Sequence, residues 1–352
     1  MRKLVLLCSL VVVPVVFLWA CNNSLPNGVG GGLPNGAEGG AVASFLPGSV
    51  SLDVSELPDE DASASAKIKD SAALGNGTPL QRTLGAAASI IHNFHRLADR
   101  ALALGAAVRD DMTSADQTQV SGTLDVHGQQ VAYKADFAAF DINGDGTAEG
   151  SGNAVAVPVA IRMWVDRGNG YDRFLCAVVT TKPSDENLGA GTLFTLPTAA
   201  DPNAPSDLQI RVDWDRTDAA HRWNDAYVTG KLIETLALAN GHQRVDVRKD
   251  TAGAVEKTIR SASHFAESPY GLDSFQSAVH VKPGSGAALL SGLATGVSGS
   301  IEFTDVCVDV IDQSLATNGE CDAFDTQDMT LIDFPVGGET AFPNDFPETP
   351  TF

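Results

Sequence analysis

The residues best spaced to do chemistry are Asp141-Ile142-Asn143-Gly144-Asp145-Gly146-Thr147-Ala148-Glu149. Oxygen-bearing side chains at alternate positions, with glycine sixth, are what a Ca²⁺ loop needs. The chain wraps the ion, the first, third and fifth side chains point inward, and glycine permits the sharp bend. Asp141, Asn143, Asp145 and Thr147 are the candidate ligands, with Glu149 or a distant carboxylate completing the shell. The twelfth position is Gly152, where an EF-hand has a bidentate Glu, and the flanking segments Tyr133–Phe140 and Ala154–Val165 alternate like strands. The spacing therefore predicts either a Ca²⁺ loop outside the EF-hand family or a polar hairpin tip, because Asn-Gly and Asp-Gly are strong turn formers. Any Ca²⁺ affinity would fall in the weak extracellular range, about 10⁻⁴–10⁻³ M.

Other groupings are weaker. His92, His95 and Asp99 lie three and four residues apart, on one flank of a helix, where two imidazoles and a carboxylate could hold Zn²⁺ or Cu²⁺. Arg96 is adjacent and no fourth ligand is evident, so a polar helix edge with a His95–Asp99 pair is the simpler reading. The turn Asp166–Asp172 contains Arg167, which repels a cation, and reads as a hairpin. Asp213, Asp215, Asp218, His221 and Asp225 alternate with Trp214 and read as a solvated face opposite a buried one. There is no G-x-S-x-G, H-E-x-x-H, C-x-x-C, Walker loop or serine–lysine motif.

Three cysteines lie beyond the first 21 residues. Cys307 and Cys321, 14 apart around Asp309, Asp312 and the turn-like Thr317–Glu320, are the expected disulfide in an oxidising compartment. Closing that loop contributes roughly 3 kcal/mol on the chain-entropy argument. Cys176, within Phe174–Val179, reads as a small buried hydrophobe.

These residues need a scaffold, and from about Val120 the hydrophobic period is two. Strands are expected at 118–127, 129–141, 154–166, 171–182, 191–197, 207–215, 225–239, 242–249, 254–266, 274–282, 299–311 and 328–334. Turn signals fall between them at His127-Gly128, Asn143-Gly144, Gly168–Gly170, Asn240-Gly241 and Pro283-Gly284. Short connections imply an antiparallel meander, and so many strands must curl into a half-barrel, close into a barrel or split into a sandwich. One helix precedes them. Thr78-Pro79-Leu80-Gln81 is a capping start, and apolar residues recur at Leu80, Leu84, Ala87, Ile91, Phe94, Ala98 and Ala101 up to Gly105. The expected fold is mainly β, with this one N-terminal amphipathic α-helix.

The chain has 352 residues, with 23 Lys and Arg against 44 Asp and Glu, a formal charge of −21. An acidic surface of this kind does not suit nucleic acid, which needs a basic face. Residues 22–50 repeat Leu-Pro-Asn-Gly around a glycine run, and residues 51–77 are small and acidic. The expected organisation is a leader at 1–20, a flexible stalk at 21–77, one domain at 78–335 and a Pro-rich tail at 336–352.

The leader reads MRKLVLLCSLVVVPVVFLWAC: two positive charges, then an apolar run of secretory length. Its end, Leu18-Trp19-Ala20-Cys21, resembles the lipobox of bacterial lipoproteins. That resemblance implies thioether lipidation of Cys21, cleavage before it and acylation of the new amino terminus. Asn22, rather than Asp, points by the same analogy to the outer membrane. Without Arg2 and Lys3 the mature chain has 21 bases against 44 acids, or −23, and is repelled by anionic headgroups, so the lipid must do the anchoring. One helix followed by a long meander resembles the half-barrel of periplasmic lipoprotein carriers and related lipid-handling lipoproteins. The expectation is a non-enzymatic envelope protein that binds a hydrophobic small molecule. The alternatives are an adhesion or assembly module with a Ca²⁺-stiffened loop, which would engage another envelope protein, and a hydrolase with a carboxylate site.

Overall fold

The structure, a computed structural model, describes residues 108, 111, 117–126, 129–150, 158–181, 189–200, 207–233, 236–249, 255–268, 271–281, 287–296, 299–309, 321 and 329–352. The leader, Cys21, the stalk and the expected helix with His92, His95 and Asp99 lie outside these residues.

Among the described residues twelve strands run in chain order: β1 (Gln119–Val126), β2 (Gln129–Asp136), β3 (Val159–Asp166), β4 (Tyr171–Thr181), β5 (Ala190–Thr195), β6 (Gln209–Asp215), β7 (His221–Ile233), β8 (Leu236–Lys249), β9 (Val255–Glu267), β10 (Leu272–Val281), β11 (Ala287–Gly296) and β12 (Gly299–Asp309). One helical turn, α1 (Pro197–Ala200), separates β5 from β6. Each strand pairs antiparallel with its sequence neighbours, in the order β1 to β12, so the expected meander is observed. The two end strands do not pair with each other. The closed barrel is therefore ruled out, and the described strands form one hydrogen-bonded sheet rather than two.

Alternation gives the sheet two distinct faces. In β6, Ile210, Val212 and Trp214 are buried on the first face while Arg211, Asp213 and Asp215 take the second. First-face residues form one apolar layer from β1 to β11, including Leu124, Tyr133, Ile161, Leu175, Val212, Leu238 and Phe275. Val108, ahead of the sheet, is fully buried in the same layer. In β3 to β5 both faces are apolar: Ala160, Trp164, Cys176, Val178 and Phe194 form a second cluster on the opposite side.

That second cluster is covered by the C-terminal segment 329–352, which crosses the strands in reverse order. Ile332 O accepts from Gln276 Nε2 of β10 at 2.7 Å, and Phe334 stacks on His264 of β9 at 4.1 Å. Pro335 O accepts from Asn240 Nδ2 of β8 at 3.3 Å, and the Thr340 hydroxyl lies 2.8 Å from that of Thr229 of β7. Phe342 packs on Phe194 of β5, Pro347 O accepts from Trp164 Nε1 of β3 at 2.9 Å, and Phe352 O accepts from Lys134 Nζ of β2. The segment is thus a strap fastened across the second face. Its prolines lack the N–H that a ladder strand needs, so it lies over the sheet instead of extending it.

Three expected boundaries are corrected. Of the strand expected at 328–334, the described residues 329–334 belong to the strap and are not strand. The reversal expected at Asn240-Gly241 falls earlier, since β7 ends at Ile233, which pairs with Leu236. Gly230, at φ +98°, sits where an added Cβ would come within 2.4 Å of Asp207 O; it absorbs the bulge in this hairpin. Finally, the alanine- and glycine-rich segment at 287–296 is strand β11, which the propensity reading passed over.

Candidate functional site

The loop 141–149 is closed by an antiparallel bridge between Phe140 and Glu149. Within it, Asp141 Oδ1 accepts from Gly144 N at 2.7 Å and Oδ2 from Gly146 N at 2.7 Å. Asn143 Oδ1 accepts from Asp145 N, and Asp145 Oδ1 from Thr147 N. Gly144 and Gly146, at φ +78° and +87°, make the bends that this nest of amide donors requires. Glu149 accepts from Asn143 Nδ2 at 2.7 Å and from Ile142 N at 3.0 Å. One oxygen each from Asp141, Asp145 and Glu149 lies within 4.8 Å of the others. That spacing is about twice a Ca–O bond of ~2.4 Å, so three oxygens can surround one Ca²⁺. Asp141 Oδ1 also accepts from Asp145 N at 3.2 Å and so has both lone pairs engaged, whereas Asp141 Oδ2 and Asp145 Oδ1 each accept one amide bond and keep a second lone pair. Thr147 is exposed at the rim. Outside the loop, Asp345 of the strap accepts from Asp141 N at 2.7 Å, and Ile142 is buried in the cluster with Phe346.

A second polar assembly lies on the second face of β7 to β9. Asp246, with a side chain only 2% exposed, accepts from His221 Nε2 at 2.9 Å, Arg244 Nε at 2.9 Å and Arg260 NH1 at 3.1 Å. Asp225 accepts from Arg244 NH1 at 2.7 Å and His242 Nε2 at 2.8 Å. Arg244 also lies over Trp223, and Tyr227 stacks on His242. Burial pushes the Asp246 carboxyl up, but hydrogen bonds from Arg244 and His221 and the charges of Arg244 and Arg260 outweigh it, so the group is held below its usual range. Burial and the nearby Asp225 push the Tyr227 hydroxyl up. A glycosidase-like acid needs a raised carboxyl; here Asp246 is shifted the other way, and Arg244 ties both carboxylates down. Asp213 and Asp225 therefore belong to an ion-paired lattice, Asp213 through Arg211 at 2.9 Å, and not to a merely solvated face. Arg244, Asp246 and Arg260 went unsingled because their partnership exists only in the cross-strand register.

The remaining candidates resolve simply. Cys307 and Cys321 are disulfide-bonded, with Cα atoms 5.8 Å apart. Cys176 is free and fully buried, and desolvation raises its thiol well above the ordinary value, which suits a packing residue and not a nucleophile. Asp166 Oδ1 accepts from Gly168 N and Gly170 N, the contacts of a hairpin turn. No protein family, curated protein or solved structure matches this chain.

Proposed function

We propose that this chain is an exported lipoprotein, anchored through lipid on Cys21 in the cell envelope, with the outer membrane as its destination, and that its sheet binds a hydrophobic ligand without catalysing a reaction. The observation that carries this reading is the extended, largely apolar first face, from Leu124 on β1 to Phe275 on β10, in a sheet whose described end strands do not pair. In this reading the sheet curls about that face as a half-barrel, an amphipathic helix at 78–105 supplies apolar cover, and the seam between β1 and β12 admits the ligand. The lipobox resemblance supports the anchor. Protein released from membranes in mild detergent, then denatured and extracted, should yield a stoichiometric apolar molecule by mass spectrometry, in addition to an acylated amino-terminal peptide. Cys21→Ser should shift the exported protein to the soluble fraction. A ligand-free extract from fully folded protein would refute binding, and an unmodified amino terminus would refute the anchor.

The loop 141–149 supports a second reading, an assembly or adhesion module stiffened by Ca²⁺ that engages another envelope protein. Asp141, Asp145 and Glu149 converge there, and Asp345 and Ile142 link the loop to the strap. Adding millimolar Ca²⁺ should raise the Tm and EDTA should reverse it, and Asp145→Ala should abolish both effects. Identical melting curves with Ca²⁺ and EDTA would remove the ion.

A further inference from the structure

The first face is apolar over most of its area, but one cross-strand row combines deep burial with unpaired polar atoms. Gln243 on β8 pairs in register with Ser261 on β9, which pairs with Ser277 on β10. Ser263, two residues along β9, is on the same face. These four are 3%, 0%, 0% and 1% exposed, deeper than most polar side chains. Gln243 Nε2 donates to Ser261 Oγ at 3.4 Å, but Gln243 Oε1, Ser263 Oγ and Ser277 Oγ have no hydrogen-bond partner. A buried polar atom left unpaired costs about 1–3 kcal/mol, and three in one patch call for a partner group.

We propose that this row is the subsite for the polar end of an apolar ligand, and that this end carries a neutral hydroxyl. The inference rests on the hydrophobic-ligand reading above and adds the ligand's chemical class. An amide oxygen can only accept, so the group facing Gln243 Oε1 must donate; serine hydroxyls do both. A ligand hydroxyl meets these demands together, donating to Gln243 and accepting from Ser263 or Ser277. A carboxylate or phosphate would face the amide oxygen with no donor to give. The cations of this face are placed otherwise: the buried Arg216 donates to Asn224 Oδ1 on β7 at 3.2 Å, and Arg222 and Lys257 lie in the register row four residues further along β8 and β9, about 13 Å away by strand rise. Flanking rows supply the apolar surround: Val245 and Ile259 on one side and Phe275 on the other.

The test compares 1-monooleoylglycerol, which carries hydroxyls, with methyl oleate, which carries none, binding to the full chain and to Ser263→Ala/Ser277→Ala. The wild type should prefer the hydroxylated probe by about tenfold, the value of one to two hydrogen bonds. The double variant keeps only the bond to Gln243 Oε1, so its preference for the hydroxylated probe should fall severalfold. Its Tm should not fall, because each alanine removes an unpaired hydroxyl without changing the packing shape. Equal affinity of the wild type for both probes, or a preference undiminished by the two substitutions, overturns the subsite while leaving the apolar binding face intact; ordered water would then be the partner. Failure of either probe to bind the folded wild type overturns the hydrophobic-ligand reading itself.

Discussion

At the scale of single residues, Asp246 shows how much one carboxylate can organise. Its side chain is nearly inaccessible and takes hydrogen bonds from two arginines and a histidine, so its charge is compensated from three directions. Removing one partner of a buried ion pair is costly because the others stay buried without it. Asp246→Asn should therefore destabilise the protein at neutral pH by about 2–3 kcal/mol, a charged hydrogen bond's worth, measured by urea unfolding. The sign of the pH dependence follows from the lowered carboxyl. Its folded value lies below its unfolded one, so its stabilisation is complete above the ordinary carboxylate range and is lost as pH falls through the lowered value. Wild-type Tm should drop on acidification below about pH 4, and Asp246→Asn should show a shallower drop over the same window. Parallel curves would assign the acid sensitivity to other carboxylates.

At the scale of elements, the strap is what makes β3 to β5 a two-sided core. Phe346 is 2% exposed and packs against Trp164 at 5.1 Å and Phe342 at 5.5 Å between ring centroids. Phe346→Ala should cost about 3–4 kcal/mol and shift the Trp emission to the red as Trp164 becomes wetted; an unshifted spectrum would mean that the strap does not shield this ring. Nothing in the strap's sequence announces this role. Its phenylalanines, Phe334, Phe342, Phe346 and Phe352, are widely separated with Pro and Gly between them, so no run of alternation marks an element, and their partners lie on strands far away in the chain. The hairpins were legible for the opposite reason: alternation and local turn residues act within ten positions. Asn240-Gly241 misled because a strong turn signal sits inside β8, where Asn240 instead reaches Pro335 of the strap. The loop 141–149 was legible as a ligand pattern since its oxygens come from one short segment. The Asp246 lattice and the Gln243 row were not, since their members meet only when three strands are in register.

At the scale of the whole molecule, charge is distributed unevenly. Of 23 basic residues, Arg162, Arg173, Arg211, Arg244 and Arg260 are committed to short pairs with acids on the second face, while 44 acids must be accommodated in all. Salt acts differently on these two populations. Half-buried pairs at 2.7 to 3.1 Å are weakly screened, whereas repulsion among unpaired surface acids acts across ten or more ångströms and is screened well. Raising NaCl from about 10 mM to 1 M shortens the Debye length from about 30 Å to 3 Å, so self-repulsion in a chain of charge −21 should subside faster than the pairs weaken. The Tm should therefore rise by several degrees, and Asp246→Asn should rise in parallel, because its missing pair contributes little that salt can reach. A Tm that falls with NaCl would mean that exposed pairs, not uncompensated acids, dominate the electrostatics. The same excess of acid sets the terms for membrane attachment. Under the anchoring proposed above, salt should strengthen contact between the body and anionic vesicles by relieving repulsion, and attachment that persists at every ionic strength would be owed to the acyl chains proposed at Cys21.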